Sequence, residues 1–182
     1  MARKVRGMAL LLIGVLLLLA AGGWLLYNER ESRAARESSE KILKELEPAQ
    51  ENKDLLQAEG ELFCATLSIE KLGLKLPVYQ QWSEEHLAKA PCRWSGSLQQ
   101  GGLIIAAHNY RGHFSTLYRM KKGDEICLTD GSGTEHWFTV AEKTVLDGTD
   151  VQEMKSGDWP LTLFTCTKGG KQRVTLRCVY KE

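Results

Sequence analysis

The chain has 182 residues, with 24 Lys+Arg against 23 Asp+Glu for a formal net charge of +1. That length suits one globular domain with an appendage, and the near balance of charge excludes the basic footprint of a nucleic-acid binder as well as an acidic disordered chain. At 43% hydrophobic and 26% charged, the composition is that of a folded protein, and the odd set Cys64, Cys92, Cys127, Cys166 and Cys178 contains no Cys-x-x-Cys pair of the zinc or redox kind.

Arg3, Lys4 and Arg6 precede an uncharged run from Met8 to Asn28, dense in Leu between Leu10 and Leu19 and closing with Trp24 and Tyr27. About 20 apolar residues match the hydrocarbon core of a bilayer, and the aromatic rings fall at the headgroup level. Ala20-Ala21-Gly22-Gly23 is the kind of small-residue stretch that ends a cleaved signal peptide. The apolar run resumes with Trp24-Leu25-Leu26, however, beyond the roughly 7 to 15 residues such a peptide uses. Residues 1–28 therefore read as a basic cytoplasmic stub and an uncleaved single-pass anchor, with the rest of the chain outside the cell membrane.

Residues 29–60 carry six basic and nine acidic side chains, and read as a charged juxtamembrane stalk, a solvated spacer. Ala35, Ile42, Leu46 and Ala49 form a weak helical stripe, Glu37/Lys41 and Glu40/Lys44 are pairs one turn apart, and Pro48 ends or kinks the helix. Too few heptads are present for a coiled coil.

From Glu61 to Glu182 the pattern changes to short apolar runs broken by turns, predicting one β domain. The expected strands are Phe63–Ile69, Leu74–Val78, Gly102–Ala107, Glu125–Thr129, Glu135–Val145, Leu161–Cys166 and Arg173–Tyr180. Gly131-Ser132-Gly133 is read as a hairpin turn. Trp82–Ala90 is read as a short helix, capped by Ser83 ahead of Glu84 and Glu85. So many closely spaced strands favour a closed barrel.

The last two strands carry the chemistry. A two-residue Gly169-Gly170 turn with both glycines at positive φ sets Cys166 opposite Arg173. Alternation then assigns Leu161, Leu163, Val174, Leu176 and Cys178 to the core. A cation beside a thiol favours the thiolate, so Cys166 is the candidate nucleophile and Cys178 is inert. His108, where an apolar strand hands over to a polar loop, is the candidate base. His86, His113 and His136 read as surface or structural histidines, and a metal reading of His108 with His113 lacks a third ligand. On these residues alone, nucleophilic catalysis and a buried structural thiol both remain open.

Thr162-Leu163-Phe164-Thr165-Cys166 resembles the Thr-Leu-x-Thr-Cys signature of sortases, the membrane-anchored cysteine transpeptidases of Gram-positive bacteria. Arg173 at the start of the next strand and His108 after a Gly/Ala-rich apolar strand resemble the family's other two functional positions. The likeness covers about residues 61–182 and extends to the anchor and stalk. It implies a mainly β fold, a closed eight-stranded sortase barrel with one or two short helices. It also implies that Cys166 attacks the Thr-Gly carbonyl of an LPXTG-like sorting signal on secreted proteins, and that His108 moves protons. Arg173 would hold substrate or oxyanion with a backbone N–H near Thr165, and a cell-wall precursor amine would take the acyl group.

The stalk lacks the aromatic-acidic lid motif of pilus-polymerising sortases, and no second hydrophobic segment follows Tyr180. Wall anchoring is expected instead. The short Leu146–Pro160 connection disfavours the helical insertion of the haem-transport class. Its carboxylates Asp147, Asp150, Glu153 and Asp158 read as solvated charges without the ordered spacing of a calcium site, so no cofactor or metal is expected. Val151, Met154 and Trp159 are candidate lining for the Leu-Pro part of the signal. A hydrolytic cysteine peptidase is the rival enzyme, disfavoured for papain-like enzymes because His108 precedes Cys166. A non-catalytic membrane-tethered barrel that binds a partner is the rival from outside enzymology.

Overall fold

The computed structural model describes residues 2–50 and 52–182, with the side chains of residues 2–6 and 9 left out, so the Arg3, Lys4 and Arg6 cluster lies outside the described side chains. The first element is one continuous helix, α1 (Ala2–Glu45). Over its first half Leu10, Leu16, Leu18, Trp24 and Leu26 are more than half exposed, with no protein packed on them. Leaving so much apolar area in water is unfavourable by about 25 cal/mol per Å², and a bilayer removes that cost. The length and composition fit a membrane anchor.

The second half of α1 departs from the expected solvated spacer. Ala35, Ser39 and Ile42 are buried, and their i, i+4, i+7 spacing places them on one stripe. Ile42 packs with Ala58, Phe63, Tyr79, Ala90 and Cys92. Composition showed the charges, but a helix needs only a narrow apolar face to dock. The ion pairs differ from those expected: docking brings Lys41 to Glu59 instead of Glu37, and within the helix Glu40 accepts from Arg36 instead of Lys44.

Beyond the short strands β1 (Glu47–Pro48) and β2 (Leu56–Ala58), the chain forms β3 (Glu61–Ile69), β4 (Leu74–Tyr79), α2 (Glu84–Lys89), β5 (Cys92–Ser97) and β6 (Gly101–Ala106). Then come β7 (Glu125–Thr129), β8 (Glu135–Asp147), α3 (Val151–Lys155), β9 (Leu161–Cys166) and β10 (Gln172–Tyr180). The ring runs β3-β4-β5-β6-β9-β10-β8-β7 and returns to β3 through the pairing of Thr66 with Thr129, closing an eight-stranded barrel. Alternate residues fill it: Leu67 and Ile69, Leu103 and Ile105, Ile126 and Leu128, Leu161 and Leu163, Leu176 and Cys178 share the buried cluster. Val174, expected in this core, is only half-buried because it sits at the barrel rim.

Two expectations about turns and strands are corrected. The β9–β10 connection is the longer loop Lys168 to Lys171, closed by Thr167 N–H to Gln172 O at 2.9 Å, and of its two glycines only Gly170 has positive φ, at 71°. The loop is symmetric about the same centre, so Cys166 still pairs with Arg173. Strand β5 was not anticipated, because Cys92-Arg-Trp-Ser-Gly-Ser97 lacks alternation. Its register against β6 slips twice, as bulges do.

Gly96 makes one slip possible, with φ +68° and a position where an added Cβ would lie 2.0 Å from the Gly102 carbonyl oxygen. Gly96→Ala meets both backbone strain and this clash, so it should destabilise the barrel by at least about 1–3 kcal/mol. Denaturant unfolding of the two proteins checks this; an unchanged midpoint would contradict the packing.

Candidate active site

Two pairings place the candidate residues. β6 and β9 are parallel, with Leu103 beside Leu161 and Ala106 beside Phe164. The pairing continues past the strand end, where Ala107 N–H donates to Phe164 O at 3.2 Å and Thr165 Oγ1 donates to Ala107 O at 2.8 Å. One step further, His108 comes level with Cys166. On the opposite side, antiparallel β10 sets Arg173 against Cys166. Neighbouring strands lie about 4.8 Å apart, so the thiol on β9 and the guanidinium on β10 are neighbours, His108 follows just past the end of β6, and all three line one cavity of about 340 Å³.

Arg173 is held by its own hairpin: Nη1 donates to Gly170 O at 2.8 Å and to Gln172 O at 3.2 Å. Among the described residues no carboxylate lies within ion-pair distance of it. Its charge acts through space on Asp147, whose carboxyl the Thr149 hydrogen bonds and this charge together hold below the usual carboxylate range, and its side chain lines the same cavity as Cys166. Burial lowers the pKa of half-buried His108 below the usual histidine value, while Glu84 and Glu31 oppose that shift.

The thiols differ sharply in setting. Cys166 is half-buried at the rim, whereas Cys64, Cys92, Cys127 and Cys178 are buried. Burial pushes Cys64, Cys92 and Cys178 each up to about 12. Of the other candidates, Val151 and Met154 line the cavity. Trp159 does not: it belongs to a depression with Gly101, Pro160 and Tyr180, because the turn at Gly157 redirects the chain after α3. Thr165 is buried and lines a second cavity of about 360 Å³, together with Cys166, Asn109, Tyr118 and Lys168. The thiol thus sits where two cavities meet.

The loop carboxylates have local roles, Asp147 accepting from Thr149 N–H at 2.9 Å and Asp150 capping α3 through Glu153 N–H at 2.9 Å. His113 is fully buried, and burial pushes it down to about 4. Ser39 Oγ gives its proton to Lys89 O, so the His113 Nε2–H donates to Ser39.

Several positions that shape the cavity leave no pattern in the sequence. Trp94 packs edge-on against Phe164 at 5.7 Å and forms an apolar cavity wall. Arg177 is buried, with Nη1 donating to Met154 O at 2.7 Å and to Thr162 Oγ1 at 3.1 Å, and Nη2 donating to Glu153 O. It fastens α3, and with it Val151 and Met154, to the barrel. Its alternation with Arg173 on the outer face was the one available signal.

The sortase domain model matches residues 67–181. The chain belongs to the sortase family. Solved structures similar to this sortase include sortase C from Clostridium perfringens, at 25% identity and TM-score 0.56 over 64% of this chain and 68% of that one. Sortase A from Listeria monocytogenes is similar at 20% identity and TM-score 0.60, covering 66% and 88%. A further C. perfringens sortase C structure, with the C-terminal cell wall sorting motif, has 22% identity and TM-score 0.57 over 64% and 69%. No functionally curated protein matches the sequence. Sortases of both the A and C kinds thus share this fold.

The settings of the thiols generate a labelling pattern. In the folded protein a methanethiosulfonate reagent should modify Cys166 first, with Cys64, Cys92 and Cys178 reacting only on unfolding. Peptide mapping by mass spectrometry checks the order; equally fast labelling of Cys178 would contradict it.

Proposed function

We propose that this sortase is a membrane-anchored cysteine transpeptidase. It cleaves an LPXTG-like sorting signal on secreted proteins and transfers them to a cell-wall precursor amine, with its domain outside the cell membrane. The observation that carries the reading is that Cys166, its β10 partner Arg173, and His108 just past the end of β6 line one cavity.

Cys166 Sγ attacks the Thr-Gly carbonyl carbon while His108 takes the thiol proton. The tetrahedral oxyanion is stabilised by the Arg173 guanidinium with a backbone N–H near Thr165. Collapse breaks the Thr–Gly C–N bond, His108 returns the proton to the leaving amine, and a thioester remains on Cys166. The incoming amine then attacks that thioester, its proton passing through His108 to the departing thiol. Val151 and Met154, with Trp94, offer an apolar wall for the Leu-Pro part of the signal. A second cavity at the same thiol suits an acceptor approaching from the other side. No cofactor or metal takes part in this scheme. The related sortase C determined with a cell wall sorting motif supports the kind of substrate.

Three substitutions separate the roles when the full chain is given sorting-signal peptides and candidate amines. Cys166→Ala should abolish cleavage and transfer. His108→Ala should lose about 10² to 10⁴ in rate, the usual contribution of a general acid and base. Arg173→Lys keeps charge but loses the planar fork, and should be severely impaired with little change in thermal midpoint. Near-normal transfer by Arg173→Ala would remove that residue from the site. Cleavage to free acid alone, with every amine refused, would favour a hydrolase.

A further inference from the structure

The loop that carries His108 is clasped from outside by the juxtamembrane part of α1. Tyr110 Oη donates to Glu31 Oε2 at 2.9 Å, and the same carboxylate accepts from Tyr27 Oη at 2.6 Å. Arg111 pairs with Glu29 at 3.3 Å, and His113 reaches Ser39 at 3.3 Å. Gly112 lies so close that an added Cβ would be 2.7 Å from Arg36 Cβ. Inside this clasp the Tyr110 ring lies 4.8 Å from the His108 ring, tilted by 39°.

Nothing in this arrangement covers the thiol: no α1 residue lines either cavity at Cys166. The helix meets the His108 loop and is not a lid on the thiol. We infer that Glu31 is a positioning residue of the active site, orienting the His108 imidazole through Tyr110 and supplying a negative charge behind it. The inference rests on the reading of His108 as the proton carrier. Because α1 is continuous from the apolar run into this contact, the catalytic histidine is referenced to the membrane-anchoring helix itself.

The direction of the electrostatic effect is consistent, since Glu31 favours protonated His108. Other groups face His108 too: Glu84 by α2, Asp147 and Asp150 across the cavity, Cys166 on β9, Arg173 on β10, and Tyr110 and His113 on its own loop. Glu31 lies on α1 and contributes there without touching the cavity, so changing it leaves the substrate walls intact.

The test uses the full chain in detergent micelles, a sorting-signal peptide, and the pH dependence of kcat and kcat/KM. Tyr110→Phe removes the hydroxyl and keeps the ring. It should lower kcat on the order of 10-fold, part of the general acid–base contribution, with KM changed less than about 2-fold and an unchanged thermal midpoint. Glu31→Gln keeps an acceptor for Tyr110 but removes the charge, and should move the pH limb due to His108 to lower pH. Wild-type kcat and pH profile in both variants, while His108→Ala is inactive, would overturn this inference alone. Loss of kcat in step with thermal stability and with an unmoved pH profile would also overturn it, as a purely structural contact. Full activity in His108→Ala would overturn the functional reading, and this inference with it.

Discussion

The site depends on one backbone constraint, the register of β9 between its two neighbours. A slip of one residue in a strand turns every side chain to the other face. Here it would send Cys166 into the core and expose Leu163. The alternating leucines that fill the barrel therefore also fix the thiol at the rim. Parallel pairing with β6 brings His108 level with it, and antiparallel pairing with β10 brings Arg173. Core packing and the geometry of the candidate site are two consequences of the same alternation.

Around that site the protein has divided its polar groups by task. Arg177, four residues beyond Arg173 on the same face, directs its donors to the carbonyls of Glu153 and Met154 and is closed off from solvent. Arg173 spends one nitrogen on its hairpin and meets no carboxylate within ion-pair distance among the described residues. A buried cation held by two carbonyls and a hydroxyl is structural, whereas one with no direct ion pair at the cavity that holds the thiol keeps donors free for the proposed oxyanion. The same division separates His113, buried and neutral beneath α1, from His108 at the cavity.

What was legible in the sequence was whatever alternation or turn chemistry imposes locally. The strands at Glu125–Thr129 and Leu161–Cys166 appear at their expected bounds, and Ser83 caps α2 by accepting from His86 N–H. The pairing of Cys166 with Arg173 was legible although the turn is longer than two residues, because a longer symmetric loop preserves the register. Strand β5 was hidden because its bulges and Gly96 erase the period that marks a strand. The docking of α1 was hidden because Ala35, Ser39 and Ile42 are a thin stripe among many charges. Trp159 was misplaced for a related reason: apolar character says that a side chain seeks cover, not which of two neighbouring depressions supplies it. Tyr110, Glu31 and Trp94 join the surroundings of the site only through tertiary contacts, which leave no local pattern.

The claim that Cys166 is the nucleophile is tested most directly by intact-mass spectrometry of the full chain quenched in acid during reaction with a sorting-signal peptide. The account predicts a single covalent adduct equal to the peptide through its Thr residue, mapped to Cys166 and released by added amine. No adduct, or one mapped to Cys64, Cys92, Cys127 or Cys178, would contradict it.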